Sequence, residues 1–423
     1  MKVTIFSWSV NSGGAARASY RLFTAIKKYE SKEIAIKMRV NNSEIEEENI
    51  IGPRSNINKG WSLLRRYIGL KFQNLQKTSN QVYHSSSLIP SLYDQEINKS
   101  DTDLINLHWV QGEMLSIKAI GRIKKPIIFT LHDCWAFSGS EHYPNGYNDN
   151  RYKNGYFKWN VPKDHRGIDI DRICWNMKRK CWKLPHQIVC PSNWLANKAK
   201  ESLLMKDWPI TVIPNPVPLE IYKPLPKEFA RKVFNLNLEK DLILFGALNG
   251  SKDNRKGWDL LEPALNKLSD FNDNIEAIVI GETTPLNPPK LGMKIKYLGE
   301  LKDDQSLSLI YSAVDVMVVP SRMENLPQTA TEAQSCGTPV VAFNCSGFPD
   351  TISHKETGYL AAPFDSESLK DGIIWVLEKN KNGGRISLKA RERALKLWDE
   401  KIIAEKYKNL YEKTNYKYNK NNN

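Results

Sequence analysis

Short runs of consecutive apolar residues, separated by stretches with helical spacing, dominate the first half of the chain. Residues 2–8 read as a strand, 9–14 as a turn, and 15–29 as a helix with Ala15, Ala18, Leu22 and Ile26 on one face. Further strands are expected at 34–40, 103–108, 126–131, 187–190 and 210–213. Continuous apolar runs with helices between them belong to a parallel sheet covered on both faces. Prolines 214, 216, 218, 224 and 226 then interrupt the pattern and read as a linker.

The pattern restarts beyond them. Strands are expected at 242–245, 275–280, 314–319 and 339–343, and helices at 258–268, 305–313, 328–336 and 366–377. The expected fold class is α/β: two doubly wound Rossmann-like domains, 1–216 and 217–395, facing across a cleft between the carboxyl ends of their strands. A last helix is expected over about 386–412. Its part beyond 395 (396–413) is expected to pack back on the first domain. The polar run 414–423 is expected to be disordered.

Composition removes several classes. With 41% hydrophobic and 26% charged residues, and no apolar run near the roughly 18 residues of a membrane span, a soluble two-domain protein is expected. The start carries no secretion pattern. Six cysteines in 423 residues are too sparse for a disulfide scaffold and fit a cytoplasmic location. Of the net charge of +14, +13 falls in residues 1–216. Such a field attracts nucleic acid, an anionic membrane surface or phosphorylated ligands, without choosing among them.

The sharpest chemical signal begins at Ser321. A buried strand, VMVVP, leads into a loop with Glu324, and Pro327 reads as the first residue of a helix. The first-turn amides of Gln328 and Thr329 would then favour a phosphate. Glu332 follows Glu324 by eight residues. Carboxylates beside a phosphate site suit the hydroxyls of a sugar or ribose, although two isolated glutamates would ordinarily be solvated surface residues.

Glu324-x7-Glu332, followed by Ala-x-x-x-Gly337-Thr-Pro-Val-Val, resembles the donor-site signature of the family 4 retaining glycosyltransferases, which have the GT-B fold. The stretch 299–315 resembles what precedes that signature. Cys190-Pro-Ser-Asn-Trp and Val212-Ile-Pro-Asn-Pro resemble the passage into the linker. Asn11-Ser-Gly-Gly, Leu107-His-Trp-Val and Thr130-Leu-His-Asp-Cys-Trp resemble the subgroup that builds bacterial exopolysaccharides of the colanic-acid kind.

The resemblance implies a role for each matching residue. Glu324 would contact the transferred sugar, Glu332 would accept the ribose hydroxyls, and Lys256 would neutralise the diphosphate. The family's usual arginine after the first strand of this domain is missing, since the strand ends Phe245-Gly246-Ala247; Arg255 would replace it. Asn325 and Leu326 stand where the family usually has glycine and phenylalanine, which implies a differently shaped donor pocket. His132 matches a histidine that touches the donor sugar, and Gly14 lies in a motif whose amides meet a phosphate or acceptor. The implied partners are a UDP- or GDP-linked sugar and a saccharide or lipid-linked acceptor, with no metal or other cofactor and no nucleic acid.

Other candidates are weaker. Asp101-x-Asp103 and Asp169-x-Asp171 do not follow strands as a divalent-metal pair would. Cys174, Cys181, Cys190 and His186 lack paired zinc spacing. Residues 59–77 place Trp61, Leu64, Ile68, Phe72 and Leu75 at helical spacing with Arg65, Arg66 and Lys71 around them. That is either a core helix with a basic outer face or a basic amphipathic helix on an anionic membrane, peripheral to its inner face. Lys178 to Lys183 form a second basic cluster. The expected function is retaining transfer of a sugar in surface polysaccharide synthesis. The alternatives are a nucleic-acid-binding protein or a GT-B epimerase or phosphorylase.

Overall fold

Strands form where the apolar runs lie. The computed structural model describes residues 1–42, 47–53, 56–146, 149–246, 253–271, 273–381 and 385–422. The chain divides into one unit of Met1–Pro216 with Lys401–Asn423 and a second of Val217–Glu400. The first unit's strands are β1 (Lys2–Ser9), β2 (Ala35–Asn42), β3 (Ile50–Ile51), β4 (Gln76–Lys77), β5 (Leu104–Leu107), β6 (Ile127–Thr130), β7 (Arg166–Gly167), β8 (Gln187–Cys190) and β9 (Ile210–Val212). Among the described residues, seven of them form a parallel sheet in the order β3-β2-β1-β5-β6-β8-β9. β4 and β7 pair separately and antiparallel.

Alternate side chains point to opposite faces, so the sheet is covered twice. Its helices are α1 (Gly14–Tyr29), α2 (Asn56–Gln73), α3 (Tyr93–Lys99), α4 (Ile117–Ile120), α5 (Arg151–Asn154), α6 (Ile170–Cys181) and α7 (Asn193–Glu201). Val3, Ile5, Leu104 and Ile128 pack with Leu22 and Ile26 of α1 and with Ile403, Tyr407 and Tyr411. Phe6, Ile105, Leu107 and Phe129 pack with α4, α6 and α7.

The second unit holds β10 (Asp241–Gly246), β11 (Ile275–Ile280), β12 (Lys294–Tyr297), β13 (Val316–Val319), β14 (Val340–Phe343) and β15 (Gly358–Ala361), all parallel, in the order β12-β11-β10-β13-β14-β15. Its helices are α8 (Lys227–Val233), α9 (Trp258–Phe271), α10 (Asp304–Ala313), α11 (Gln328–Ser335), α12 (Phe348–Thr351), α13 (Ser366–Lys381) and α14 (Ile386–Leu397). β12 and β15 were not expected. Each is a single pairing at a sheet edge, and the burial of β12 is partial.

The C-terminal region differs from expectation in two ways. The single helix expected over 386–412 is two, α14 and α15 (Glu400–Asn422), separated at Trp398 and Asp399. Trp398 is buried and its carbonyl accepts from Val217 N at 2.8 Å, which takes it out of a helical ladder. The tail expected to be disordered is helical through Asn422, and Tyr418 Oη donates to the Lys124 carbonyl. Tyr411 Oη accepts from Asn106 Nδ2 at 2.8 Å, anchoring α15 on the first sheet.

Two basic segments also depart from their expected exposure. Arg65 is 3% exposed and donates to the carbonyls of Ile89 (3.1 Å) and Met114 (3.4 Å). α2 therefore packs through Arg65 and Gly69, where a Cβ would collide with the Glu113 side chain. Trp61 (51% exposed), Leu63 (66%), Leu64, Tyr67 (59%), Ile68 and Leu70 face outward. The reading as a core helix with a basic outer face is thereby reversed. Lys178 is fully buried, donates to the carbonyls of Trp135, Ser138 and Gly139, and lies 3.9 Å from the Trp135 ring centroid. Burial lowers its pKa to about 8. No helix among the described residues is long and apolar enough to cross a membrane.

Beside Lys178 lies a buried acid pair. Glu141 accepts from Tyr156 Oη, while Asp171 accepts from Gln76 Nε2 (2.9 Å) and Ser140 N (3.1 Å). Burial first, and then Asp171, push the Glu141 carboxyl well above its ordinary range. A raised carboxyl pKa means that the folded chain holds a proton which the unfolded chain releases. Its unfavourable contribution is absent below the unfolded value of 4.5 and grows as pH rises. Glu141→Gln should therefore raise the unfolding temperature at pH ~7.5 by roughly 2–4 °C, the effect of ~1 kcal/mol in a domain of this size. The gain should shrink toward pH ~4.5. Scanning calorimetry at the two pH values checks this, and a lower unfolding temperature at the higher pH would count against it.

Candidate active site

In the second unit, three loops meet beyond the carboxyl ends of parallel strands, where open α/β sheets bind ligands. The first follows β10 and includes Arg255 and Lys256. The second, 320–327, joins β13 to α11 and carries Glu324. The third, 344–347, follows β14. Ala247, where the family arginine was found missing, lies outside the described residues.

Two glycines let these loops touch. Gly257 has φ +72°, and a Cβ there would collide with the Pro320 carbonyl oxygen. A Cβ on Gly347 would collide with the Asn325 carbonyl oxygen, while its N–H donates to Glu324 O at 2.9 Å. Ser346 Oγ accepts from Glu324 N (3.1 Å), and Arg322 N donates to Arg255 O (2.8 Å). Arg322 also forms a two-pronged ion pair with Asp259, at 2.8 and 2.6 Å.

The result is a convergence of charge. Arg255 Nη1 and Lys256 Nζ both donate to Glu324 Oε1, at 2.9 and 2.7 Å. Arg255 Nη1 also reaches the Met323 carbonyl (3.0 Å). Burial would raise the Glu324 carboxyl, but the charges and hydrogen bonds of Lys256 and Arg255 outweigh it and hold the pKa at about 2. Two of the residues singled out in the sequence, Arg255 and Lys256, thus meet on one oxygen of a third, Glu324.

The rest of the signature follows α11. Pro327 is the residue before the helix rather than its first member, and Ala330 N and Thr331 N donate back to its carbonyl. Its ring fixes φ where the chain turns in. Gln328 and Thr329 open the helix and are partly exposed, whereas Asn325 and Leu326 are buried. Glu332 is only 1% exposed, and its Oε2 accepts from Tyr311 Oη of α10 (3.0 Å). It sits deeper than a carboxylate expected to look into an open cleft.

In the first unit, Gly14 begins α1 behind Gly13, whose φ is +89°. His132 follows β6 and meets a residue that sequence reading did not assign: His108 Nδ1 lies 2.9 Å from His132 Nε2. His108 is buried. Burial pushes both imidazoles below their usual range, His132 to about 4, despite the nearby Asp133 charge that opposes it. A histidine pair joined by one hydrogen bond holds both rings neutral at physiological pH. Asp133 in turn accepts from Trp109 Nε1 (3.1 Å) and pairs with His142 Nδ1 (2.6 Å). His108 lay within the quoted Leu107-His-Trp-Val, so its motif was visible while its partner was not.

The aspartate pairs have structural duties. Asp101 pairs with Lys2 Nζ (2.8 Å), Asp103 accepts from Lys2 N, and Asp169 caps α6 and pairs with Arg151 (2.8 Å). Among the described residues, metal-ligand atoms gather within 4.8 Å at His84, Glu141 and Asp171. Both His84 ring nitrogens already have partners in Ser140 Oγ and Asn80 O. Cys174, Cys181 and Cys190 are free thiols, and they do not gather with His186.

Residues 226–393 match the family described as Glycosyl transferases group 1, and residues 71–221 match Glycosyltransferase Family 4. Among curated proteins, the chain is 29% identical over 178 residues to a D-inositol 3-phosphate glycosyltransferase of Segniliparus rotundus, covering 40% of this chain and 39% of that protein. It is 32% identical over 119 residues to an N,N'-diacetylbacillosaminyl-diphospho-undecaprenol alpha-1,3-N-acetylgalactosaminyltransferase of Campylobacter jejuni, covering 28% of this chain and 31% of that one. The chain thus spans well under half the length of these relatives. Solved structures align over nearly the whole chain. A sucrose-phosphate synthase from Thermosynechococcus elongatus has TM-score 0.68 at 18% identity, covering 97% of this chain and 98% of that one. Anabaena HepE in complex with UDP-glucose has TM-score 0.62 at 17% identity, covering 96% and 98%. Both halves of the chain thus match glycosyltransferase family models, and its two-domain α/β architecture is of the GT-B type.

Proposed function

We propose that the protein is a retaining, metal-independent glycosyltransferase that takes a sugar from a UDP- or GDP-linked donor. The acceptor is a saccharide or lipid-linked saccharide in bacterial surface polysaccharide synthesis, at the inner face of the cell membrane. The observation that carries this reading is the convergence of Arg255 and Lys256 on Glu324 at the carboxyl ends of a parallel sheet. HepE, solved with UDP-glucose, and the Campylobacter relative, named for a diphospho-undecaprenol substrate, support donor and acceptor class respectively.

In this reading the donor diphosphate meets Lys256, Arg255 and the first-turn amides of Gln328 and Thr329. The bond from the anomeric carbon to the diphosphate breaks with its electron pair on the leaving oxygen. The acceptor hydroxyl bonds the same face, and its proton passes to the departing phosphate. The cations stabilise the leaving charge, Glu324 supports the sugar as positive charge builds, and no protein nucleophile is needed. Asn325, Leu326, His132 and Gly14 shape the donor site, and Glu332, with Oε2 fixed by Tyr311, takes the ribose.

Thermal-shift screening against UDP-, GDP- and dTDP-sugars is the first test, since a ligand of the native state raises its apparent stability. No shift with any of them would leave the donor reading without support. Transfer should survive EDTA, and loss with recovery on Mn²⁺ addition would reverse the metal-independent assignment.

The ion pairs give the two glutamates different signatures. Glu324→Gln removes the internal anion that competes with a diphosphate for Arg255 and Lys256. Free nucleoside diphosphate should therefore bind about fivefold tighter, equivalent to ~1 kcal/mol, while kcat falls. Glu332→Gln should weaken nucleoside diphosphate by ~1.5–3 kcal/mol, the worth of a charge-assisted hydrogen bond. Calorimetric titration beside steady-state kinetics checks both. Weaker nucleotide binding by Glu324→Gln, with unchanged binding by Glu332→Gln, would show the roles to be misassigned.

Membrane docking is ascribed to α2, whose outward Trp61, Leu64, Tyr67 and Ile68 are accompanied by exposed Lys59 and Lys71. Arg65 is excluded by its burial. Replacing Lys59 and Lys71 by Gln should weaken binding to anionic vesicles about fivefold per charge at low salt. Wild-type binding should fade as salt rises. Equal binding to neutral vesicles, or none at any salt, defeats this assignment.

A further inference from the structure

We infer that Ser346 is a positioning residue: a strained backbone aims its hydroxyl at the Glu324 amide and so holds that carboxylate on Arg255 and Lys256. The consequence for a diphosphate rests on the donor reading proposed above, whereas the clamp stands on the geometry of the loops.

Ser346 has φ +48°, in the left-handed region that costs any residue with a Cβ. Among the described residues of the second unit, Asn235, Lys355 and Phe364 share that region, but only Ser346 lies in the loops that meet at Glu324. Strain of this kind persists where the surroundings over-determine it, and it gathers at functional sites. Here the chain is fixed on both sides. Before Ser346, Asn344 N donates to the Ala361 carbonyl (2.7 Å); after it, Phe348 N donates to the Cys345 carbonyl (3.2 Å). Phe348 is fully buried, and Gly347 lies so close to the Asn325 carbonyl that a Cβ would collide with it.

That conformation is put to use. Glu324 is held at both of its backbone polar groups: its N–H donates to Ser346 Oγ (3.1 Å), and its carbonyl accepts from Gly347 N (2.9 Å). A glycine at 346 would remove the strain but leave the Glu324 N–H without this acceptor. With both groups held, residue 324 has a set position from which its carboxylate meets Arg255 Nη1 (2.9 Å) and Lys256 Nζ (2.7 Å). Charge pairing weakens with distance, and more steeply in a partly buried place than in water. Loosening residue 324 therefore weakens its hold on the two cations and leaves them more open to an external anion.

Calorimetric titration of the full chain with inorganic pyrophosphate, UDP and GDP tests this beside hydrogen exchange at the Glu324 amide. Ser346→Ala and Ser346→Gly should bind each anion that the wild type binds about two- to fivefold tighter. Their Glu324 amide should exchange about tenfold faster. In the Glu324→Gln chain, adding Ser346→Gly should change affinity by less than about 1.5-fold, because both act through one carboxylate. Ser346→Thr keeps the hydroxyl but puts a β-branched residue in the left-handed region, so it should bind as wild type and unfold at a lower temperature. Ser346→Gly should unfold roughly 2–4 °C above Ser346→Ala, since the two differ in strain and share the lost hydrogen bond. A residue that served packing alone would weaken anion binding as stability fell. Unchanged or weaker binding by both Ala and Gly variants, an unchanged Glu324 amide, or a Thr variant that binds like Ala overturns the inference. A Gly variant that unfolds no higher than Ala overturns the strain. If neither wild type nor Glu324→Gln binds any of the three anions, the donor reading fails, while exchange and unfolding still decide the clamp.

Discussion

Two adjacent cations need counter-charge, and Arg255 and Lys256 find most of theirs in Glu324, with Asp253 3.5 Å from the Arg255 guanidinium. Arg255 and Lys256 lie at adjacent positions of one loop and converge on a single carboxylate oxygen. The cluster is partly buried, so Coulomb attraction within it is stronger than in open water. Binding of an anion to these cations would therefore be an exchange rather than an addition. In the proposed reaction, a diphosphate that took the two cations would free the Glu324 carboxylate from them.

That exchange depends on loops that cannot drift, and the fold holds them by steric exclusion. Gly257 and Gly347 mark points where one loop's backbone presses against the carbonyl of another, so closely that any side chain would collide. Behind them β13 and β14 are buried at every position. A strand covered on both faces cannot slip its register without moving apolar side chains out of the core. The rigid sheet fixes where each loop begins, the glycines fix how near the loops approach, and the ion pairs fix the side chains. The first unit uses the same logic with hydrogen bonds: Asp133, beside His132, ties together Trp109 and His142.

The strands were legible because their signal is local. VMVV, VVAF and IEAIVI are continuous apolar runs, and they form β13, β14 and β11. Arg255, Lys256 and Glu324 could be named from their motifs, but not their convergence, since residues 68 and 69 positions apart are joined only by the fold. The division of the last helix at Trp398 was hidden for a similar reason. Nothing near it in sequence breaks a helix, and its carbonyl is claimed by Val217 from the far end of the unit. His108 pairing with His132 and Glu332 sinking against Tyr311 are likewise contacts between separate elements. Helical periodicity marks 59–77 as an amphipathic helix without saying which face is buried. Which face turned inward was decided by Gly69 and Glu113, a close approach that no periodicity encodes.

Counted charge and effective charge are also different quantities here. The first 216 residues carry an excess of +13, yet Arg21, Arg39, Arg65, Arg151 and Lys178 are all buried. Lys178 is spent on three carbonyl oxygens and Arg151 on Asp169. A buried cation satisfied by carbonyls and carboxylates specifies local structure and contributes little to the field that an approaching anion meets. What remains outward on α2 is Lys59, Arg66 and Lys71, interleaved with exposed tryptophan, tyrosine and leucine. Long-range attraction by such a set is modest, but each charge stands beside an apolar side chain. That pairing suits a surface whose anionic groups lie over hydrocarbon better than one whose charge is spread along a nucleic-acid backbone, because only the former can receive both kinds of group at once.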